Sequence, residues 1–404
     1  MARGFVKMET HPDRRAFLGA AGGGITVLAI GRTLYAAPAA PGRLPSGDAY
    51  APWTTWDDPG LKGTPFALVA AAVLAANPHD TQPWLYRVAD DAVEVYADAS
   101  RNLGAMDPYL REMHLGLGCA IENMTLAGPP NGYAVRVEAV PGAVTDISGR
   151  DRPIHAATLA LTRQAPDAKN PLYRAVPDRH TNRYAYERSR PLDPQWMEAA
   201  LRFGQADDVR VILFPEGSER DRLAAAMVDA TQSIIADEPM IADSDRWFRK
   251  SYAEIDEHRD GPTLEAAGLS FLALTYARLI PVSAKTSHDA WLSQTRDTQV
   301  GTAPVLGLIA VRDRYDRAAA IAAGRSWQRL HLAATLTGVA LQPVNQPIEV
   351  IDRERQLGRS GEFARRIAEL SGPDWQATFS FRAGYSARRG AASPRRRLAD
   401  VLLA

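Results

Sequence analysis

Runs of apolar residues along the chain predict both helices and strands. β-Rich runs bounded by turn residues predict strands at residues 82–88, 92–97, 134–140, 155–161, 209–214, 304–311 and 377–383. Apolar stripes and alanine-rich runs predict helices at residues 65–76, 111–126, 196–203, 219–236 and 318–337. The first two strands are separated only by a short polar turn, Asp90-Asp91, which predicts a hairpin.

Size and composition narrow the class of protein. A chain of 404 residues is long enough for two domain-sized units, and its 46% hydrophobic and 23% charged residues are ordinary for a soluble globular protein. Basic and acidic residues both number 47, so no overall field would attract nucleic acid or an anionic membrane. The single cysteine, Cys119, excludes an intramolecular disulfide and any cysteine-based metal site. Its apolar helical surroundings predict a buried, inert thiol.

The N-terminal residues resemble a twin-arginine export signal. Residues 13–19 read DRRAFLG, and a Gly/Ala-rich apolar run over 20–31 follows them. This run is too short to span a bilayer, and residues 37–39 read Ala-x-Ala, a candidate cleavage site. We therefore predict a signal peptide over residues 1–40, the alternative being an ordinary helix with a chance Arg-Arg pair.

Such a signal predicts a destination outside the cytoplasm. The twin-arginine export machinery would carry the folded chain to the periplasm or cell envelope, leaving no membrane anchor after cleavage. Translation could start at Met1 or at Met8, since the usual short basic leader would follow Met8. Residues 41–64 are rich in Pro, Gly, Asp and Trp without a period, which predicts a linker.

A cluster of polar residues near the middle of the chain is a candidate anion site. Residues 178–184 read DRHTNRY and form a loop or a first helical turn before the next helix. Arg179 and Arg183 offer forks of donors that match phosphate oxygens, and Thr181 adds a hydroxyl. The alternative is a solvated polar connector. A second stretch far upstream, residues 75–84, reads AANPHDTQPW.

Together these two stretches resemble the motifs of the nitroreductase family of flavin enzymes. That family carries an Arg-x-Ser/Thr-x-Arg/Lys phosphate motif and an Ala-Pro-Ser-x-x-Asn-x-Gln-Pro-Trp motif. The chain is most similar to the Acg-like branch, in which two nitroreductase units are fused, and the resemblance covers about residues 60–404. It implies an α+β fold of two related units, 65–169 and 170–404, each with a central antiparallel sheet flanked by helices, and a C-terminal arm on the second. A similarity between residues 112–117 and 329–334 supports related halves.

The resemblance also implies the cofactor and its ligands. In the family, FMN lies between two units, one of which supplies the phosphate motif and the C-terminal basic residues. Carried over, the phosphate would be bound by residues of the second half: Arg179, Thr181, Arg183, Arg395 and Arg396, with His180 beside them. Asn77, Asp80 and Gln82 of the first half would lie on the flavin ring. Only one phosphate motif is present, so we expect one FMN per chain, which is compatible with a monomer. The alternative for residues 395–397 is a frayed basic tail.

One departure from the family motif bears on the chemistry. Asp80 stands where the family usually has Asn, and Ala76-Asn77 stands where it has Pro-Ser. A carboxylate near the ring would repel the anionic reduced flavin and so lower its potential. A lower potential would make reduction of the flavin by a nicotinamide cofactor less efficient. We expect Asp80→Asn to raise the flavin midpoint potential.

Other chemistries have little support in the sequence. A Gly-x-Ser-x-Gly elbow, a phosphate-binding Walker loop and a dinucleotide-binding glycine pattern are all missing. Residues 256–260 read DEHRD, but their dense spacing indicates a solvated helix end rather than a metal site. This region resembles the segment that forms part of a cover over the flavin in members of the family.

Two functions therefore remain. The first is an FMN-dependent oxidoreductase that passes electrons from a reduced nicotinamide or another small donor to a nitro compound, a quinone or a similar acceptor. Because protons can come from solvent, no catalytic side chain is assigned. The alternative is a protein that sequesters FMN under a closed cover without turnover.

Overall fold

Two four-stranded antiparallel sheets organise the protein. The computed structural model describes residues 47–145, 152–203, 208–269, 274 and 283–404. The first sheet contains β1 (Trp84–Val88), β2 (Ala92–Ala97), β3 (Tyr133–Ala139) and β4 (Ile154–Arg163). The second contains β5 (Val209–Phe214), β6 (Val305–Val311), β7 (Ala340–Pro343) and β8 (Gln376–Gly384). The predicted signal peptide lies outside the described residues.

The two sheets have the same strand order. The first is ordered β1-β2-β4-β3 and the second β5-β6-β8-β7, and every pairing is antiparallel. The central pair of each sheet also carries one register shift, after Val95 in β2 and after Ile309 in β6. The predicted α+β class with two antiparallel sheets is confirmed.

Helices cover the sheets. The longer ones are α1 (Pro65–Ala72), α2 (Arg111–Ala127), α3 (Pro194–Arg202), α4 (Ser218–Ile235), α5 (Glu238–Asp245), α6 (Tyr252–His258), α7 (Ala284–Ser293), α8 (Arg317–Leu336), α9 (Gln346–Gln356) and α10 (Glu362–Ser371). Within the described part of the chain, no helix is both long and apolar enough to span a membrane. Cys119 is fully buried, as predicted, and Trp84 is fully buried as well.

Helices α2 and α8 cross at a pair of glycines. A Cβ atom placed on Gly118 would lie 2.1 Å from the carbonyl oxygen of Ile321. One placed on Gly324 would lie 1.9 Å from the carbonyl oxygen of Leu115. The two backbones are therefore too close for a side chain at either position, and this contact sets how the two halves of the protein pack.

The crossing indicates a different register for the internal repeat. The predicted match aligned residues 112–117 with 329–334. Arg111 begins α2 and Arg317 begins α8, and each crossing glycine lies seven residues further on. This geometry aligns residues 112–117 with 318–323 instead. The similarity of letters reflects the shared apolar composition of two packed helices rather than equivalent positions.

Several helices and one strand in the second half were missed by the sequence analysis, among them α9, α10 and β7. Strand β7 has only four residues, too few for a clear alternation. Helix α9 follows a stretch rich in proline, and Pro347 lies in its first turn, where a proline's missing N–H costs nothing. Helix α10 begins after Gly361, a residue with φ 66°. Prolines that mark loops elsewhere thus mark the start of a helix here.

Part of the predicted linker is packed into the protein. Residues 48–50 and 52–55 form short helical turns. Ala49 is 0% exposed and Trp53 only 8% exposed. The segment lacks periodicity because it contacts the rest of the protein through single residues, not through one face of a long element.

A buried ion-pair cluster joins α2 of the first half to the second half. Arg111 is fully buried, and its Nε donates to Asp352 Oδ2 at 2.7 Å while its Nη1 donates to the Thr378 carbonyl at 2.5 Å. The neighbouring Glu112 accepts a hydrogen bond from Asn345 Nδ2. These contacts tie the first turn of α2 to helix α9 and strand β8.

Three carboxyl groups in and around this cluster, those of Asp107, Glu112 and Glu349, have pKa values shifted towards the neutral form. Burial is the main cause in each case, opposed by the charge of Arg111. The pKa of Glu112 is raised to about 7 and that of Asp107 to about 6. Burial, together with the neighbouring Glu112, also raises the pKa of Glu349. The cluster therefore holds protons at neutral pH that the unfolded chain would release.

Candidate functional site

The chain makes a tight turn between α1 and β1, at the residues predicted to face a flavin. His79, Asp80 and Gln82 have φ values of 46°, 50° and 49°, in the left-handed region that residues with a Cβ rarely adopt. Asn77 closes the turn, because its Oδ1 accepts from the Gln82 amide at 2.8 Å and its Nδ2 donates to Asp80 Oδ1 at 3.3 Å. Strained backbone of this kind persists only where the surroundings hold it, and it concentrates at binding sites.

The C-terminal arm, residues 385–404, lies against this turn. Arg395 Nη1 donates to Asp80 Oδ1 and also, at 2.7 Å, to Ser393 Oγ. The side chain of Arg395 is 2% exposed and that of Asp80 is 10% exposed. A basic residue from the end of the chain thus reaches a buried position beside the turn, rather than fraying into solvent.

The candidate phosphate motif meets the same place from a third direction. Residues 179–183 form a loop, and Arg179 is 2% exposed. Arg179 Nη2 donates to the Leu74 carbonyl at 3.0 Å, and Arg395 Nη2 donates to the next carbonyl, that of Ala75, at 3.3 Å. The two guanidiniums are therefore neighbours. Burial, and then the charge of Arg395, lowers the pKa of Arg179 to about 9.

His180 packs under an aromatic ring that the sequence analysis did not assign to the site. The rings of Trp53 and His180 meet edge to face at 4.5 Å, and the Arg395 guanidinium lies 4.7 Å from the Trp53 ring centre. Trp53 Nε1 also donates to the Ser393 carbonyl at 2.8 Å. Burial and the nearby Arg179 lower the pKa of His180 to about 3, so His180 is neutral. The available signal was a tryptophan inside an aperiodic segment, since such large aromatic residues are seldom left in solvent.

Thr181 and Arg183 complete the loop. Arg183 Nη1 donates to the Ala266 carbonyl at 3.1 Å, and its charge acts on both Asp80 and His79. The backbone of Thr181 packs against the C-terminal arm, where a Cβ on Gly390 would lie 2.6 Å from the Thr181 carbonyl oxygen. The loop and the arm are therefore fitted to each other.

Two of the predicted site residues are used to join the arm to the turn. Gln82 is fully buried; its Oε1 accepts from the Arg396 amide at 2.7 Å and its Nε2 donates to the Arg259 carbonyl at 2.8 Å. The Arg396 guanidinium donates to the carbonyls of Gln82 at 3.2 Å and Trp84 at 3.4 Å. These contacts place Gln82 and Arg396 at the junction of the arm and the turn, and their contacts with ring and phosphate stay predictions.

Residues 238–267, which we call the cover, pack over the turn. The Gly261 amide donates to the Asp80 carbonyl at 3.1 Å. The neighbouring Asp260 is 3% exposed and forms ion pairs with Arg101 and, at 2.5 Å, with Arg249. The predicted solvated helix end is thus buried at Asp260, because a run of charges does not reveal which charges are paired. In the described ranges no cluster of three or more His, Cys, Asp or Glu side chains is arranged to hold a metal ion.

The charges at the site favour an anionic ligand. Three guanidiniums, those of Arg179, Arg183 and Arg395, act on the carboxylate of Asp80. The nearby carboxylate of Asp260 is already paired with Arg101 and Arg249. Among the residues that the structure describes, the buried Nε atoms of Arg179 and Arg395 and the Oδ2 atom of Asp80 have no hydrogen-bond partner. A buried polar atom without a partner costs about 1–3 kcal/mol. A donor set that is rich in guanidiniums and incompletely used fits a phosphate.

Known proteins provide an independent comparison. No protein-family model matches the chain. Two curated proteins from two strains of Mycobacterium tuberculosis, each described as "Putative NAD(P)H nitroreductase", are 27% identical to it over 286 residues. The match covers 70% of this chain and 76% of each relative. This similarity supports the nitroreductase resemblance of the two motifs.

Solved structures give weaker similarities. An FMN-dependent nitroreductase from Mycobacterium smegmatis, in complex with NADPH, is 18% identical with a TM-score of 0.36, over 58% of this chain and 97% of that one. A nitroreductase with bound FMN from Desulfitobacterium hafniense is 14% identical with a TM-score of 0.35, over 58% of this chain and 98% of that one. At these TM-scores the superpositions do not bear on the site.

Proposed function

We propose that this chain is an FMN-dependent oxidoreductase of the nitroreductase type, with one FMN bound between its two halves. The observation that carries the proposal is the meeting of Arg179 and Arg395 beside the strained turn of Asn77 and Asp80. These residues come from three distant parts of the chain, and their guanidiniums suit a phosphate. The curated relatives, described as NAD(P)H nitroreductases, support a reduced nicotinamide as the electron donor.

We infer that the chain consists of two fused nitroreductase-like units, residues 65–169 and 170–404. The equal strand order of the two sheets and the crossing of α2 with α8 support this arrangement. Only the second unit contains an Arg-x-Thr-x-Arg loop, at residues 179–183. This asymmetry supports one flavin per chain, and a fused chain that already holds both halves is compatible with a monomer.

The residues of the site would have distinct tasks. A bound FMN would supply the hydride and electron chemistry between the donor and a nitro compound, quinone or similar acceptor. Arg179, Arg183 and Arg395 would hold its phosphate through charge-assisted hydrogen bonds, with the Thr181 hydroxyl as a further donor. The cover would exclude water from the ring. No acid–base side chain is assigned, because solvent can supply the protons.

A second candidate function is the sequestration of FMN without turnover. The contacts of the cover favour it, since Gly261 and Arg259 bind the turn directly and the ion pairs of Asp260 hold the cover in place. A cover fastened in this way would limit the access of an electron donor to the ring.

The test is the behaviour of the purified protein with flavin. We expect a yellow protein whose flavin band bleaches when NADPH or NADH is added without oxygen, and returns when a nitroaromatic compound is added. Bound flavin that is inert to both additions would favour sequestration. A colourless protein that takes up no FMN when offered it would contradict both candidates.

We also propose that the chain is exported by the twin-arginine route. The proposal rests on the order of Arg14-Arg15, Phe17-Leu18 and the apolar run after them. Replacement of the pair by Arg14→Lys and Arg15→Lys should retain the full-length chain in the cytoplasm, while the natural sequence appears, shortened, in the periplasm or envelope fraction. If the variant and the natural chain were distributed equally between the two fractions, export by this route would be contradicted.

A further inference from the structure

The Arg395 side chain, which would bind the cofactor phosphate, is bonded to Asp80. Arg395 Nη1 donates to Asp80 Oδ1, and both side chains are buried. The other hydrogen bonds of the Arg395 Nη atoms go to neutral oxygens of Ser393, Pro394 and Ala75. Asp80 is therefore the only carboxylate that accepts from Arg395 among the described residues.

A carboxylate and a phosphate compete for the same guanidinium, because both accept two parallel hydrogen bonds from its fork. We propose that Asp80 takes the place of a phosphate on Arg395, and that a phosphorylated flavin binds by displacing the Asp80 carboxylate from this arginine. The inference rests on the proposed FMN site and adds a residue that sets how strongly that site prefers a phosphorylated flavin over an unphosphorylated one.

Displacement changes the protonation of Asp80. Burial raises the pKa of Asp80 to about 7, and Arg395 is the strongest of the groups that oppose this rise. When Arg395 turns to the phosphate, Asp80 loses that attraction and its pKa rises further. Asp80 then takes up a proton as the ligand binds, so affinity for FMN falls as the pH rises above 7. Riboflavin has no phosphate and leaves the pair intact.

Most of the other groups around Asp80 keep one charge state over the pH range of the binding measurement. Arg179 and Arg183 lie on the loop, Asp260 on the cover and Asn77 on the turn itself. The remaining titratable neighbours are uncharged between pH 7 and pH 9, because burial lowers the pKa values of His79 and His180 and raises that of Tyr50: to about 4, about 3 and about 12, respectively. The phosphate is a dianion in the same range, since its second pKa is about 6. Arg179, whose pKa burial lowers to about 9, loses charge only towards the upper end of this range, so Asp80 is the group whose titration dominates between pH 7 and pH 8.

The experiment measures the dissociation constants of FMN and riboflavin by flavin fluorescence from pH 7 to pH 8, below the pKa of Arg179. For the natural chain we expect FMN binding to weaken by up to about tenfold per pH unit, while riboflavin binding stays level. In Asp80→Asn the slope for FMN should disappear. The preference for FMN over riboflavin at the upper end of the range should then increase by about tenfold or more.

Two further variants test whether the pH effect comes from the pair of Arg395 and Asp80. Glu122→Gln removes another buried carboxylate from an arginine, Arg325, whose Nε lies 3.0 Å from Glu122 Oε2, and should leave the slope unchanged. In an Arg395→Gln background the natural preference for FMN should be lost, and Asp80→Asn should then have no effect on it. Thermal melting of each variant confirms folding, and the pH profile of the natural chain decides the question if Asp80→Asn does not fold.

The outcomes separate this inference from the proposed function. If FMN and riboflavin bind with parallel pH profiles, and Asp80→Asn leaves their ratio unchanged, Asp80 does not compete with the phosphate, although the flavin site stands. If the natural chain binds neither flavin, the site itself is refuted together with this inference.

Discussion

Replacing the glycine at the helix crossing should push the two halves of the protein apart. In Gly118→Ala the new methyl group would lie 2.1 Å from the Ile321 carbonyl oxygen and 2.9 Å from its carbon. Ordinary contact requires about 3.4 Å, so α2 and α8 must separate by about 1 Å, because neither obstructing atom belongs to a flexible side chain. Such over-packing costs about 1–3 kcal/mol.

A matched control lies on the same helix. Alanine gains about 1 kcal/mol over glycine in a helix interior, and Gly116→Ala receives the same gain. The nearest atoms to its methyl group would be Pro78 Cδ at 3.0 Å, Asn77 Cβ at 3.3 Å and Asn77 Cα at 3.5 Å, all farther away than the Ile321 oxygen is from a methyl group on residue 118. We therefore expect Gly116→Ala to keep or slightly raise the free energy of unfolding. Gly118→Ala should lie about 1–3 kcal/mol below this control.

Urea unfolding followed by tryptophan fluorescence measures the difference, and FMN binding measures its consequence for the site. Gly118→Ala should weaken FMN binding through the displaced halves. Gly116→Ala could affect binding only through the turn that it touches. If the two variants unfold at the same urea concentration, the helices do not cross at Gly118, and the argument for how the halves pack fails.

Three other changes test separate parts of the structure. The pKa of Glu112 is raised from 4.5 to about 7, so its contribution to stability is present in acid and lost as the pH rises to 7. Glu112→Gln should therefore flatten the fall in unfolding free energy between pH 5 and pH 8, by up to about 1.4 kcal/mol per pH unit. An unchanged slope in urea titrations would exclude this role of Glu112. Asp80→Asn should raise the flavin midpoint potential by on the order of tens of millivolts, and more so at higher pH, because only the ionised carboxylate repels the reduced ring; a lowered potential would place Asp80 away from it. Trp53→Ala should weaken FMN binding about tenfold, because its ring packs on His180 and Arg395, whereas Trp56→Ala, whose ring meets Tyr173 at 5.0 Å, should bind FMN normally.

Local sequence predicted the bounds of helices and strands well wherever a segment had one clear pattern of apolar residues. Strands β2 and β5 have the predicted bounds, because their β-rich runs lie between clear turn residues. Helix α2 was predicted within one residue of its end. Local sequence did not predict β7 or α9, because β7 has only four residues and α9 begins in a proline-rich stretch, so neither shows a periodic pattern.

For the site, the residues themselves were readable from the sequence, but their partners were not. The motifs at residues 75–84 and 179–183 have distinctive composition, and Arg395 stands out in a basic tail. Nothing local showed that Arg395 would donate to Asp80, or that the amide of Gln82 would be consumed by Arg259 and the arm. These partners are more than 170 residues apart in each pair.

The sequence by itself determined the kinds of residue available: two sets of strands, a loop with forked donors, an amide-rich turn and a carboxylate where an amide is usual. Tertiary structure decided which of them meet. Burial then changed their chemistry, lowering the pKa of Arg179 and raising that of Asp80, because removing a charge from water costs more than any sequence neighbour can restore. That cost depends on the packing of chain segments from opposite ends of the protein, which no local pattern contains.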